Sequence, residues 1–167
     1  TQGDKAIDSL PKKIKQNERS VAEILAANMR KMIISERPNN PAYFDKMSDL
    51  LNHLLQEQKD GKIQYKELIK KLIEKLKEAR STIKTKYPAT IDTKGKQALY
   101  DNLGKDETLA LRVHETIKAN ARDGFRDMDS SGLKKMKALR RAVERVLQGV
   151  EVNIDDIMQL IVAQREY

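Results

Sequence analysis

Between residues 63 and 86 the apolar side chains Tyr65, Leu68, Ile69, Leu72, Leu76, Ala79 and Ile83 recur three and four positions apart. At 100° per residue they fall on one stripe, with charged side chains on the remaining faces. A strand cannot present that pattern, because its side chains alternate at a period of two. The stretch therefore predicts a helix over 63–86 that has to bury one side against neighbours. Upstream, residues 9–16 predict a short helical turn around Leu10 and Ile14. Ser20-Val-Ala-Glu23 fits a capping box that starts or reinforces a helix running to about Arg37. Its expected face is Val21, Leu25, Asn28 and Met32, flanked by Ile24, Met29 and Ile33, and the small Ala22, Ala26 and Ala27 allow a neighbour to approach closely. Pro38 ends it. Asn40-Pro41 reads as the cap and first residue of a helix carrying Tyr43, Met47, Leu50, Leu51, Leu54 and Gln58 as far as Gly61. Only a short turn separates this helix from the next, so the two are expected to pack as an antiparallel hairpin.

Residues 87–117 are the least periodic part of the chain. Pro88 closes the preceding helix, and Asp92 or Thr93 can cap a short one with Lys96, Ala98, Leu99 and Tyr100. Gly104 stops that helix, and Asp106 caps another in which Leu109, Val113 and Ile117 make one face. Arg122 to Gly132 is a loop by composition, with Asp129 to Ser131 as cap for a helix over about 132–148. That helix carries Met136, Leu139, Val143, Val146 and Val150 on one side, with Leu133 and Leu147 alongside. Asn153 with Asp156 caps the last helix, whose stripe is Ile154, Ile157, Met158 and Ile161. Gln164 to Tyr167 are expected to fray, or Tyr167 to lie against a partner. The chain thus reads as an all-α antiparallel bundle of about six to seven helices without a sheet. It is one domain, or two lobes over 1–86 and 87–167.

Several chemistries lack their residues. There is no cysteine, and the histidines are His53 and His114, so neither a disulfide framework nor a thiolate metal site can be built and no metal is expected. Asp127-Met-Asp129-Ser-Ser131-Gly132 imitates the start of a calcium loop, but its twelfth position is Ala138, and Lys134 and Lys135 repel a cation. No GxxxxGK[ST], GxSxG or HExxH occurs, so no nucleotide cofactor and no hydrolase site is expected. Asp92 beside Lys94 and Lys96 lacks the further carboxylates of a nuclease centre, and His114 reads as a helix-surface residue rather than a general base. No small-molecule substrate is implied. No run approaches the roughly 18 apolar residues of a membrane span, and the first residues show no signal-peptide core, which suggests a cytoplasmic setting. Thr1 in place of an initiator methionine suggests a piece of something longer.

The net charge of +8 favours an acidic partner such as nucleic acid. It is concentrated: residues 62–86 hold nine Lys and Arg against three Asp and Glu, and 130–148 hold six against one, whereas 41–61 and 151–167 are acidic. On the helix at 132–148, Lys134, Lys137, Arg141 and Arg145 fall within about 80° of one another, opposite the apolar side. On the helix at 63–86, Lys66, Lys70, Lys77 and Lys84 fall within about 40°. Each line is either a solvated face or a phosphate-facing ridge. Arg140 and Lys135 flank the apolar side and can equally snorkel or pair with the acidic last helix.

The run TKGKQALYDNLGKDETLALRV, followed by ARDGFR at Ala121 to Arg126 and by AQREY at Ala163 to Tyr167, resembles the C-terminal domain of the R (restriction and motor) subunit of type I restriction enzymes. LPKKIKQNERSVAEILAANMRKMIISE and NPAYFDKMSDLL are similar to that family's preceding segments, so the likeness covers nearly the whole chain. Phe125 departs from it, standing where the family pattern has tryptophan. The resemblance implies a subunit that hydrolyses ATP, translocates double-stranded DNA and cleaves it, through domains other than this one. It implies that this domain is non-catalytic and helps attach the motor to a methyltransferase core of modification and specificity subunits. To this the residues add candidate DNA contacts at Lys134, Lys137, Arg141 and Arg145, with Lys66, Lys70 and Lys77 as a second strip. The alternative is a bundle that makes protein contacts only, or that completes the motor subunit without touching DNA.

Overall fold

The computed structural model describes residues 17–81 and 86–167. The expected turn at 9–16, and Ile83 and Lys84, lie outside them. Among the described residues there are seven α-helices and no strand, so the all-α reading holds: α1 (Glu18–Glu36), α2 (Pro41–Lys59), α3 (Tyr65–Arg80), α4 (Lys94–Asn102), α5 (Glu107–Asn120), α6 (Ser130–Val146) and α7 (Ile154–Ala163), with a 3-10 turn at Arg37–Asn39. They form two compact units, Thr1–Arg37 with Phe44–Ser81, and Pro38–Tyr43 with Thr82–Tyr167.

In the first unit α1 begins earlier than the capping-box pattern indicates. Asn17 is the cap, its Oδ1 accepting from the Ser20 N–H at 3.3 Å, which leaves Ser20 inside the first turn. The buried line of α1 is Val21, Ala22, Ala26, Met29 and Ile33, rotated toward the alanines from the expected face. Ile24 is 55% exposed and Asn28 points to solvent. The expected hairpin of α2 with α3 is not the main packing here: α3 packs chiefly on α1, and α1 turns the side that carries its small alanines inward, a side on which a neighbouring helix has room to approach. α2 contributes Met47, Leu51 and Leu54 as expected, together with Phe44. α3 buries Leu68, Ile69, Leu72, Leu76 and Ala79, but ends at Arg80 rather than near 86, where Ser81 turns extended.

The second unit wraps α4 to α7 around Ile91, Leu99, Ile117, Leu139, Leu160 and Ile161, each at most 1% exposed. α4 packs on α5 and α7, and α5 on α6. Four helix starts are closed by the side chains expected from sequence. Thr93 accepts from Lys96 N–H, Asp106 from Leu109 N–H, Asp129 from Gly132 N–H and Asn153 from Asp156 N–H, at 3.2, 3.0, 2.7 and 3.1 Å. Each such cap contributes about 1 kcal/mol. Asp92, the other candidate for the α4 cap, pairs with Lys96 Nζ at 3.0 Å instead. Gly104 leaves α4 at φ 72°, and Lys105 follows at φ 59°, so the turn to α5 runs through two successive left-handed residues.

The start of α2 is fastened within this second unit by amide side chains. Asn40, 8% exposed, caps the helix by accepting from Tyr43 N–H, while its Nδ2 donates to Asp101 at 2.8 Å. Asn102 donates to Asn40 Oδ1 at 2.8 Å and accepts from Ala42 N–H at 3.2 Å. The Tyr87 hydroxyl donates to the same Asp101 carboxylate.

Because Ala26 is 2% exposed on the seam and Ala27 is exposed beside it, Ala26→Leu is expected to lower stability by about 1–3 kcal/mol through overpacking. Ala27→Leu stays within about 0.5 kcal/mol of the parent chain. Urea unfolding followed by circular dichroism separates the two; equal effects would mean that the alanine seam is not where α1 is tightly packed.

Candidate functional site

The orientation of α6 is set by its apolar residues. Leu139 and Val143 are fully buried and Leu147 is 2% exposed, with Met136 and Val146 packed against the same core. Lys134, Lys137, Arg141 and Arg145 lie on the opposite side and are all exposed. None of the four forms an ion pair with a described residue. The reason lies one step round the helix. Glu144, the nearest carboxylate, is taken by Arg140 Nε at 2.9 Å, and the other side of the same guanidinium reaches Asp155 on α7 at 2.6 Å. Those two hydrogen bonds raise the Arg140 pKa further above its already high value. Arg140 thus follows the pairing alternative, and Lys135 turns inward to donate to the Asp123 carbonyl at 2.7 Å. What remains is a line of four cations over about 16 Å of helix, a length comparable to about five phosphates of one duplex strand.

The α3 strip is less uniform. Lys66 and Lys70 are exposed, whereas Lys77 is only partly exposed and already engaged by a neighbour, and Lys71 pairs with Glu67 at 3.3 Å. The two strips belong to different units.

A second cluster, not anticipated as such, gathers around the segment Gln164–Tyr167. Instead of fraying, this segment is bound by its own chain. Arg126 donates to three main-chain oxygens, those of Gln164, Tyr167 and Val162, at 2.7, 2.9 and 3.0 Å. Its guanidinium lies 4.2 Å above the ring centre of Phe125, which is 3% exposed, so the aromatic at position 125 both fills the core and backs the arginine. Gln164 is 6% exposed and donates to the Asn39 carbonyl at 2.5 Å. Thr93 Oγ1 donates to Glu166 at 3.0 Å. A side chain at Gly95 would begin 1.7 Å from the Glu166 carboxylate and 3.0 Å from the Tyr167 hydroxyl, so glycine is what leaves room for the segment.

His114 corrects the surface reading. It is 5% exposed, its Nδ1 lies 2.6 Å from the Tyr167 hydroxyl, and the two rings are 5.5 Å apart. The face of α5 is Ala110, Val113, His114 and Ile117, with Leu109 at its margin, because the tail covers the flank that the sequence left open. Burial lowers the His114 pKa below 6.5, against an opposing pull from Glu166, and burial pushes the Tyr167 phenol above its usual range with the same carboxylate adding to the effect. Both shifts favour the uncharged forms, a neutral imidazole hydrogen-bonded to a neutral phenol. The signal available in sequence was His114 one position from Val113, together with a glycine in the first turn of a helix.

The remaining candidates disperse. Asp129 is spent as a helix cap, and Met128 beside it is 86% exposed. Among the described residues no three His, Asp or Glu side chains converge to hold a metal ion, and no helix is long and apolar enough to cross a membrane. No protein-family model, curated protein or solved structure matches the chain.

The His114 environment has a pH consequence. Its pKa is lower in the folded chain than the ordinary 6.5, so on acidification the unfolded chain takes up the proton first. The contribution is fully present above about pH 6.5 and declines as pH falls toward the folded value. Melting temperatures compared at about pH 7.5 and 5.5 should drop less in His114→Gln than in the parent; an equal drop would mean that the burial of His114 does not govern this window.

Proposed function

We propose that this chain is a non-catalytic assembly and DNA-contact module from the C-terminal end of a type I restriction enzyme R subunit. Two things support the reading. One is the resemblance carried by Thr93 to Val113, by Ala121 to Arg126 and by Ala163 to Tyr167. The other, which carries the DNA contact, is the α6 line of Lys134, Lys137, Arg141 and Arg145, exposed opposite the buried seam and without carboxylate partners among the described residues. Lysine and arginine presented in this way hold phosphates electrostatically, and such contacts position a protein on the duplex without reading bases. Lys66 and Lys70 form a separate exposed strip on α3, with Lys77 a weaker member. In this reading the parent subunit is the ATP-dependent translocase and nuclease, working in the cytoplasm. The present domain attaches it to the modification and specificity subunits and steadies DNA beside them.

Arg126, Phe125 and the tail fit the same reading as internal architecture. They fasten the family-like motif to the end of the helical unit rather than present it to solvent. Protein docking is then left to exposed surfaces such as Met128, 86% exposed, and Leu133, 48% exposed.

If four phosphates are neutralised, log K against log[salt] for a duplex of arbitrary sequence should have a slope of about −3.6, a loss of roughly a hundredfold between about 50 and 200 mM salt. Replacing Lys134, Lys137, Arg141 and Arg145 together by Ala removes most of that slope while leaving the helical spectrum intact. Binding that is absent at low salt, or unchanged by the fourfold substitution, rejects the DNA contact and leaves the assembly role, which co-purification with a methyltransferase core then tests.

A further inference from the structure

The segment Gln164–Tyr167 is held in a manner unlike the rest of the second unit. The helices there are joined by apolar burial, whereas the segment, besides packing the Tyr167 ring against the same core, is engaged group by group through polar side chains. Arg126 takes the main-chain oxygens of Val162, Gln164 and Tyr167 around a turn at Arg165 and Glu166, so it recognises the course of the backbone rather than a particular side chain. Gln164, whose backbone is extended at φ −75° and ψ 136°, inserts its carboxamide against the Asn39 carbonyl. Thr93 meets the Glu166 carboxylate, and His114 meets the Tyr167 hydroxyl. Arg165, whose side chain has no such partner among the described residues, points to solvent. Gly95 has no side chain at the place where Glu166 and Tyr167 lie. Position by position, this is selectivity for a carboxamide, then any residue, then an acid, then a phenol. The main chain turns at Arg165 and Glu166 within the grip of one arginine.

We propose that Asn39, Thr93, Gly95, His114 and Arg126 form a peptide-recognition site whose ligand is a Gln-x-Glu-Tyr segment that turns at its two middle residues. The site is filled in the structure by residues 164–167 of the same chain, and it accepts that sequence equally when it arrives as a separate molecule. The chain connection supplies the segment at high effective concentration, so a free peptide gains access only when the resident one is weakened. A segment bound in this way is also exchangeable between two copies of the chain, the ordinary route to a swapped pair.

The test uses the full 167-residue chain, labelled with nitrogen-15 and carrying Gln164→Ala with Tyr167→Ala, titrated with a synthetic Ala-Gln-Arg-Glu-Tyr peptide. The expected result is saturable displacement of the Gly95 and His114 amide resonances. The peptide with Phe in place of Tyr should bind about two- to tenfold more weakly, the worth of one hydrogen bond. Adding Arg126→Ala to the chain should abolish saturation. The proposal is overturned if no saturable displacement occurs at millimolar peptide, or if the same five residues in scrambled order bind as well. It is overturned equally if the doubly substituted chain loses its helical circular dichroism, since the segment would then be an inseparable part of the core. These outcomes do not depend on whether α6 contacts DNA, because the substitutions leave Lys134, Lys137, Arg141 and Arg145 in place.

Discussion

The burial of Leu139, Val143 and Leu147 against α5 and the rest of the second core fixes the rotation of α6, and much else follows from that rotation. Each buried aliphatic side chain of this kind contributes about 1.5–3 kcal/mol, whereas an exposed charge gains little from any one orientation. The apolar side therefore decides which way the helix faces, and the 3.6-residue period sends Lys134, Lys137, Arg141 and Arg145 to the opposite side. No ion pair with a described residue holds them there. Their exposure is a by-product of packing that electrostatics alone would not impose, since four like charges on one face repel.

Arg140 shows how the same helix keeps its two sides apart. Placed between the buried seam and the cationic line, it binds Glu144 on its own helix and Asp155 at the start of α7. The nearest acid is thereby drawn away from the cationic line toward the neighbouring helix. Surface ion pairs contribute little to stability, so the consequence here is one of charge distribution. The local field stays positive over Lys137 and Arg141 because Glu144 is engaged elsewhere.

The second unit closes differently at its end. Apolar stripes account for α4 to α7, but the last four residues offer only one aromatic ring to the core, that of Tyr167, and the other contacts that bind them come from polar groups collected from across the sequence. Phe125 lies under the Arg126 guanidinium at 4.2 Å, and the arginine spans three main-chain oxygens. Buried polar groups tolerate this only when each is satisfied, and among the described residues no buried side-chain nitrogen or oxygen lacks a partner. The amide network of Asn40, Asp101 and Asn102 meets the same requirement where α2 begins.

What the amino-acid order determined by itself was local. The helices, their caps at Thr93, Asp106, Asp129 and Asn153, and the separation of apolar from basic sides on α6 all follow from spacing within a turn or two, since a helix repeats every 3.6 residues whatever lies around it. Tertiary structure decided what depends on a partner distant in sequence. It chose the alanine side of α1 over the Leu25 and Asn28 side, because α3 needed room. It buried His114, because Tyr167, 53 positions away, covers it. It kept Gln164–Tyr167 from fraying, because Arg126 and Asn39 converge on that segment only after the helices have packed. Periodicity reports which side of a helix is apolar; only the folded chain brings together the separate residues that hold the turned segment Gln164–Tyr167.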